Sequence, residues 1–151
     1  MKRGYVGIGL VNPKTEHNIG SVLRAMACFD ATFLAIQNKR FKKAATDTNN
    51  TYKQKPIFHT KDILDQIPYS CVPVCIEIND KAKCISTYKH PERAFYIFGP
   101  EDGSVPTKVV NKCRDVVSIP TEFCLNLAMA CLLYTSPSPR DLSTSRMPSS
   151  A

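Results

Sequence analysis

Apolar runs of strand length recur between residues 5 and 120, and helix-like stretches separate them. Continuous apolar runs of this length are typical of strands that are buried on both faces, as in parallel sheets. Strands that alternate with helices predict an α/β domain, in which helices flank a mostly parallel sheet. The five predicted strands are YVGIGLV (5–11), TFLAIQ (32–37), VPVCIEI (72–78), AFYIFG (94–99) and DVVSIP (115–120).

Three stretches between these runs have helical features. NIGSVLRAMACF (18–29) repeats apolar residues at helical spacing. TKDILDQI (60–67) opens with Thr60, a residue type that often caps a helix N-terminus. PTKVVNKC (106–113) opens with proline, whose fixed φ suits the first turn of a helix. We therefore expect helices at these three places.

Parallel sheets bind ligands at the loops beyond the carboxyl ends of their strands. In this chain those loops are the most distinctive parts of the sequence. They are NPKTEHNIG (12–20), GPEDGSVP (99–106) and PTEFCLN (120–126). We expect the functional residues to lie in or next to them.

The net charge of +7 favours a polyanionic partner, with nucleic acid ahead of an anionic membrane. The loop after the second predicted strand (38–56) is rich in lysine and arginine and carries two aromatic residues. It is either a surface that contacts phosphates or a basic loop that is merely solvated. The candidate RNA-binding residues in it are Lys39, Arg40, Lys42, Lys43 and Lys53.

The seven cysteines are spaced too loosely for a zinc site, and no metal site is predicted. Cys75, for example, lies within the apolar run VPVCIEI, where a buried and reduced thiol is expected. The basic start of the chain leads into a short apolar run with the pattern of a strand rather than of a secretory signal. A reducing cytoplasm is therefore the expected location.

The segment FGPEDGSVP has two glycines and two prolines, which indicates a tight and rigid loop directly after a buried strand. Gly99 and Gly103 would let the backbone approach a ligand closely. Glu101 and Asp102 lie at the apex of this loop. Taken alone, the segment is more typical of an ordinary turn with acidic surface residues than of a ligand site.

In HNIGSVLRAM, Arg24 lies six residues after Asn18 on a helix that is otherwise apolar. A buried arginine needs an anionic partner, and a phosphate or the carboxylate of Glu101 would serve. Helical spacing also allows Arg24 to lie on an exposed stripe of the helix, without a partner.

Three motifs together resemble the TrmH/SpoU branch of the SPOUT superfamily, whose members are RNA 2′-O-ribose methyltransferases. They are Asn-x-Gly-x-x-x-Arg on the first helix, Phe-Gly-Pro-Glu-x-x-Gly-x-x-Pro after a later strand, and Ile-Pro-Thr followed by Leu-Asn. The resemblance extends from about Val6 to Ala130, and FGPEDGSVP is its most specific part. Small single-domain members that act on tRNA are closest in length, so tRNA is favoured over rRNA.

The resemblance implies a C-terminal trefoil knot, an exception to the rule that chains avoid threading. It also implies that S-adenosylmethionine binds in the knotted loops and that two subunits form a dimer. The implied cofactor-binding residues are Glu77, Gly99, Ile119, Cys124 and Leu125. The implied catalytic residues are Arg24, Asn18, Glu101 and Asn126.

Two features refine these implications. Arginine stays protonated at neutral pH, so a role in binding phosphate and orienting the 2′-hydroxyl suits Arg24 better than a role as general base. Cys124 stands where the family usually has serine, and a thiol is a weaker hydrogen-bonding group than a hydroxyl. This departure favours an alternative, a non-catalytic RNA-binding protein of the same fold. A base methyltransferase is a third alternative, but the Asn18 and Arg24 pair favours ribose chemistry.

Residues 131–151 have the sequence CLLYTSPSPRDLSTSRMPSSA, which lacks helical periodicity. Its first and last parts match the translation of a transposon-type adapter used in DNA sequencing libraries. We therefore expect a methyltransferase domain at 1–130 and a non-native tail at 131–151. On this interpretation the last helix is truncated, and with it the family's dimer interface, so the chain as written would be unstable or inactive.

Overall fold

The computed structural model describes residues 5–29, 31–38, 53–77, 82–85, 87–100 and 103–118. Strands and helices alternate along this part of the chain, as the sequence predicts. The elements are β1 (Val6–Val11), α1 (Glu16–Phe29), β2 (Phe33–Gln37), β3 (Ile57–Thr60), a 3-10 helix (Ile63–Gln66), β4 (Val72–Ile76), β5 (Lys83–Cys84), β6 (Ala94–Phe98), α2 (Thr107–Lys112) and β7 (Asp115–Ser118).

The described strands form one sheet in the order β3-β2-β1-β6-β4-β7-β5. Every neighbouring pair in it is parallel. The prediction of a parallel α/β sheet is therefore confirmed. Because all strands run the same way, their carboxyl ends meet at one edge of the sheet.

The sheet has a different apolar cluster on each face. On the first face, Ile8, Leu34 and Tyr96 pack against the buried side of α1, which contributes Ile19 and Leu23. On the second face, alternate strand residues pack against the 3-10 helix and α2; they include Phe33, Cys75, Phe95 and Ile97. α1 and α2 thus lie on opposite faces, which decides where the functional residues lie.

Gly7 and Gly9 in β1 make room for the aromatic side chains on the second face. A Cβ atom on Gly7 would lie 2.4 Å from Cε1 of Phe33 and 2.9 Å from Cδ1 of Phe95. The rings of Phe33 and Phe95 stack with their centroids 5.6 Å apart. The two rings therefore occupy the space that a side chain in β1 would need.

α1 begins two residues earlier than predicted. Thr15 caps it, since the Asn18 amide donates to Thr15 Oγ1 at 3.2 Å and the Ile19 amide donates to the Thr15 carbonyl at 3.3 Å. Asn18 thus lies in the first turn of the helix instead of starting it.

The predicted helix at 60–67 is wrong in its start and its extent. Thr60 is the last residue of β3, and Asp62 caps a single 3-10 turn by accepting a hydrogen bond from the Leu64 amide. Pro68 disfavours helical dihedrals at the residue before it, and Ile67 is extended. β3 and β5 were not predicted. β3 has four residues, of which two are exposed, and β5 has only two, so neither has a recognisable strand pattern.

Two further expectations fall on segments that the structure does not describe. The predicted knot would involve the chain after Ser118, and the expected tail is residues 131–151; both lie outside the described residues. Within the described part of the chain, no helix combines the length and the apolarity needed to cross a membrane.

Replacement of Gly7 by alanine tests the packing of the second face. The added methyl group would clash with two stacked rings, so we expect G7A to lower the free energy of unfolding by about 1–3 kcal/mol. Urea denaturation measures the change. G103A is the matched control, since a Cβ there would meet only the half-buried Pro100 ring, at 3.2 Å. Equal stability of G7A and the wild type would contradict the packing described.

Candidate functional site

Two predicted site residues lie side by side at the carboxyl edge of the sheet. Ile76 and Phe98 are register partners at the ends of β4 and β6, and Glu77 and Gly99 follow them directly. The chain after β6 continues through residues 99–106 into α2, and we call these residues the β6–α2 loop. The site is built from this loop and the end of β4.

A short hydrogen bond joins the two segments. The Val105 amide donates to Oε2 of Glu77 at 2.7 Å, while the Glu77 amide donates to the Val117 carbonyl at 3.1 Å. A carboxylate acceptor makes the first bond stronger than one between neutral groups. Glu77 therefore ties the β6–α2 loop to β4, and its own backbone is held by β7.

Gly99 is required by the path of the loop. A Cβ atom there would lie 2.9 Å from the Val105 nitrogen and 3.0 Å from the Ser104 carbonyl carbon. Both are backbone atoms, so no side-chain rotation could relieve the contact. The loop backbone thus packs directly on the end of β6, and the close approach that Gly99 allows here is to the chain's own backbone.

The loop is also anchored at its far end. Val105 and Val109 are buried in the second face. The Pro106 carbonyl accepts hydrogen bonds from the amides of Val109 and Val110, at 2.9 and 3.0 Å, and so starts α2. A turn closes the loop, with the Gly103 amide donating to the Pro100 carbonyl at 3.2 Å. The described residues of the loop, together with Glu77, thus form a cradle that is held at both ends.

Two asparagines extend the same edge and were missed in the sequence. Asn12 follows β1 and Asn38 follows β2, and both have positive φ, at 52° and 63°. Asn38 Nδ2 donates to Asn12 Oδ1 at 2.8 Å. Asparagine tolerates this conformation better than most residues. An asparagine directly after each of two strand-like runs is the signal that could have identified this pair.

Arg24 and Asn18 lie apart from the cradle. Asn18 is half-buried in the first turn of α1, and Arg24 is exposed about 9 Å further along the helix axis. α1 covers the first face of the sheet, whereas the β6–α2 loop folds onto the second face. The structure therefore brings Glu77 and Gly99 together but does not place Arg24 beside them. Arg24 is exposed, and Glu101, one of its two predicted partners, lies outside the described residues.

Of the other predicted site residues, only Lys53 lies within the described residues, and its side chain is exposed. The remainder lie outside the described residues: Glu101, Asn126, Ile119, Cys124, Leu125, Lys39, Arg40, Lys42 and Lys43.

A pair of thiols lies beneath α2. Cys75 in β4 is a buried free thiol and hydrogen-bonds with Cys113 at the end of α2. This hydrogen bond is the largest effect on both pKa values, raising the pKa of Cys75 and lowering that of Cys113. In the part of the chain with described structure, no three His, Cys, Asp or Glu side chains are grouped as metal ligands.

Comparison with known proteins identifies the family. The SpoU rRNA Methylase family matches residues 5–136, so the chain belongs to that family. It is part of the TrmH/SpoU group of the SPOUT superfamily, as the three motifs indicate. A search of curated protein sequences finds no match.

Solved structures of RNA-modifying enzymes share the fold. The SpoU methyltransferase AviRb from Streptomyces viridochromogenes, in complex with the cofactor AdoMet, has a TM-score of 0.78 and 18% identity. The match covers 97% of this chain and 61% of AviRb, so the chain spans about three fifths of that protein's length. A TrmH/SpoU tRNA modifying enzyme from A. aeolicus has a TM-score of 0.81 and 15% identity, covering 94% of this chain and 77% of that one.

A third structure is close in length as well as in fold. Its description is structural insights into the 2-OH methylation of C/U34 on tRNA. The TM-score is 0.75 at 17% identity, and the match covers 95% of this chain and 94% of that chain. At these identities the likeness establishes the fold.

Replacement of Glu77 by glutamine tests the bond that holds the cradle. A neutral acceptor makes a hydrogen bond weaker by about 1 kcal/mol, so the Val105 amide should exchange with solvent about fivefold faster. Hydrogen exchange measured by NMR resolves this amide from the rest. E92Q is the matched control, because Glu92 is exposed before β6. Unchanged protection of Val105 in E77Q would show that the carboxylate does not hold the loop.

Proposed function

We propose that the protein transfers a methyl group from S-adenosylmethionine to a ribose 2′-hydroxyl of RNA. Its membership of a family of RNA methylases supports methyl transfer to RNA. The observation that carries the proposal is the backbone cradle formed by Gly99, the β6–α2 loop and Glu77 at the carboxyl edge of the sheet. Parallel α/β sheets bind their ligands at this edge.

The residues present fit the cofactor. The backbone of the β6–α2 loop packs directly on Gly99 at the carboxyl edge, where a cofactor held largely by backbone groups would bind, and AviRb has been solved with AdoMet bound. In this chain Gly99 would line the site and Glu77 would hold the loop in place, with Ile119, Cys124 and Leu125 as further proposed contacts. When bound, the cofactor supplies the electrophilic methyl group.

The chain's own residues have to orient the nucleophile. A ribose 2′-hydroxyl is weakly acidic, so its alignment and the removal of its proton govern the rate. We assign Arg24 to binding an RNA phosphate next to the target ribose, a role that suits a fixed positive charge with several donors. Asn18, Glu101 and Asn126 would complete the site.

The separation of Arg24 from the cradle supports a site shared between two subunits. Arg24 is exposed on the helix that covers one face, and the cradle lies on the other face of the same sheet. In a homodimer, α1 of one subunit can approach the cradle of its partner. We therefore propose that the active form is a homodimer, in which Arg24 acts on RNA held beside the partner's cofactor.

We propose tRNA as the substrate, ahead of rRNA, and a cytoplasmic location. The net charge of +7 favours a nucleic-acid partner. The solved structure that this chain nearly matches in length concerns 2-OH methylation of tRNA. The basic residues Lys39, Arg40, Lys42, Lys43 and Lys53 would contact the tRNA backbone.

Methyl transfer to tRNA tests the proposal directly. Sequencing the genomic locus across the codon for Ala130 comes first, and the assay uses the chain that the locus encodes. With radiolabelled S-adenosylmethionine and tRNA, we expect label in alkali-resistant dinucleotides, because a 2′-O-methyl group blocks cleavage of the adjacent phosphodiester. Label in alkali-sensitive nucleotides would instead identify a base methyltransferase, and the absence of any label would contradict the proposal.

Replacement of Arg24 separates its role on RNA from a structural role. R24A should lower kcat/KM by about 100-fold or more, because the ribose would lose its alignment. Cofactor affinity, measured by calorimetry, should stay within about twofold of the wild type, and R24K should retain part of the activity. Loss of cofactor binding together with activity in R24A would show a structural role.

Cys124 supports a second candidate, a non-catalytic RNA-binding protein of the same fold. Its thiol replaces the hydroxyl that the family motif usually carries. Calorimetry discriminates the two candidates, since a pure binding module need not bind S-adenosylmethionine. C124S restores the usual serine. If the protein is a pure binding module, C124S should give no activity; if it is an impaired enzyme, C124S should gain activity.

A further inference from the structure

A basic cleft lies beside the edge strand β5, away from the cradle. Its lining is Lys83, Thr87, Tyr88, Lys89, Arg114 and Asp115, and its volume is about 460 Å³. Asp115 is the first residue of β7, and Lys83 in β5 is the register partner of Val117, so the cleft lies along the outer side of β7. Its described lining includes neither Glu77 nor a residue of the β6–α2 loop.

One carboxylate organises the cationic side chains of this cleft. Asp115 Oδ1 accepts from Lys83 Nζ at 2.8 Å, and its Oδ2 accepts from Arg114 Nε at 3.1 Å and from the Tyr88 hydroxyl at 2.8 Å. The bond from Lys83 is the largest of the effects that hold the pKa of Asp115 at about 2. The carboxylate is thus ionised at neutral pH and keeps both cations in fixed positions.

The cleft retains positive charge after this pairing. Among the described residues of the lining, three cationic side chains face a single carboxylate, and Lys83 and Arg114 remain 60% and 55% exposed. Arg114 bonds to Asp115 and to Tyr88, and since a guanidinium has five N–H donors, others are left for an outside acceptor. Lys89 is exposed at the same opening. Fixed and partly exposed donors of this kind suit a phosphate group.

We propose that this cleft binds a backbone phosphate of the substrate RNA, at a point remote from the methylated ribose. The proposal rests on the proposed function, which makes RNA the partner. The cleft lies beside β5 at the edge of the sheet, whereas Glu77 follows β4 on the other side of β7. An RNA chain that leaves the carboxyl edge past β5 can reach it, and the contact would fix the register of the RNA on the sheet.

The test is the salt dependence of RNA binding by variants of Lys89. Fluorescence anisotropy with labelled bulk tRNA is measured between about 50 and 200 mM KCl for the wild type, K89A and K89R. Loss of a phosphate contact should weaken binding about 3- to 10-fold at low salt and reduce the slope of log K against log salt by roughly 0.7–0.9. K89R keeps the charge and should bind like the wild type.

K61A is the matched control, because Lys61 is exposed beside β3 at the opposite edge of the sheet. It removes the same charge and should have less effect than K89A. Equal effects of K61A and K89A would overturn the proposal in favour of a general charge effect. The double variant K83A/K89A should reduce the slope further, with its fold checked by circular dichroism.

Titration with inorganic phosphate distinguishes a free anion from an RNA backbone. If NMR shifts of the cleft residues show phosphate binding that K89A abolishes while tRNA affinity stays unchanged, the cleft serves a free anion and the proposal fails. The readout is binding, so it does not depend on methyl transfer. If K89A weakens tRNA binding and the wild type transfers no methyl group, the assignment of the cleft stands and only the proposed catalytic activity is refuted.

Discussion

The hydrogen bond from the Val105 amide to Glu77 holds the functional edge of this protein together. The bond is 2.7 Å long and joins the end of β4 to the loop between β6 and α2. Gly99 permits the contact because the backbone of residues 104 and 105 lies against it. A carboxylate and a glycine, each just beyond a buried strand, thus shape a cradle whose surface is mostly backbone.

The two faces of the sheet carry different parts of the proposed site. Strand residues alternate between faces, so each strand serves both apolar clusters. α1 occupies the first face and carries Arg24 on its exposed side, while the β6–α2 loop returns to the second face. Arg24 and the anchor of the cradle are therefore on opposite faces of the sheet in one chain, and the proposed homodimer would bring them together.

The strands with strong patterns could be predicted from sequence. β1, β2, β4, β6 and β7 coincide with the apolar runs to within two residues over the described part of the chain, because burial on both faces demands continuous apolar sequence. β3 is an edge strand with half its residues exposed, so its composition gave no such signal. Thr60 looked like a helix cap but is the end of β3, where its hydroxyl accepts from the Asp62 amide and bends the chain into the 3-10 turn.

The site residues could be predicted from sequence only through the family resemblance. Glu77 and Gly99 were identified through the family resemblance, and the structure gives their physical relation, which no spacing in the sequence could reveal. The Asn12 and Asn38 pair and the Asp115 cluster depend on contacts between residues 26 and 32 positions apart, and such contacts follow from topology rather than from local pattern.

The most direct test of this account is a crystal structure of the protein with S-adenosylmethionine. The account predicts that the cofactor lies against Gly99 and the backbone of residues 99–106, with the bond from Val105 to Glu77 intact. A cofactor bound elsewhere on the chain, or a loop displaced from Glu77 in the complex, would contradict it.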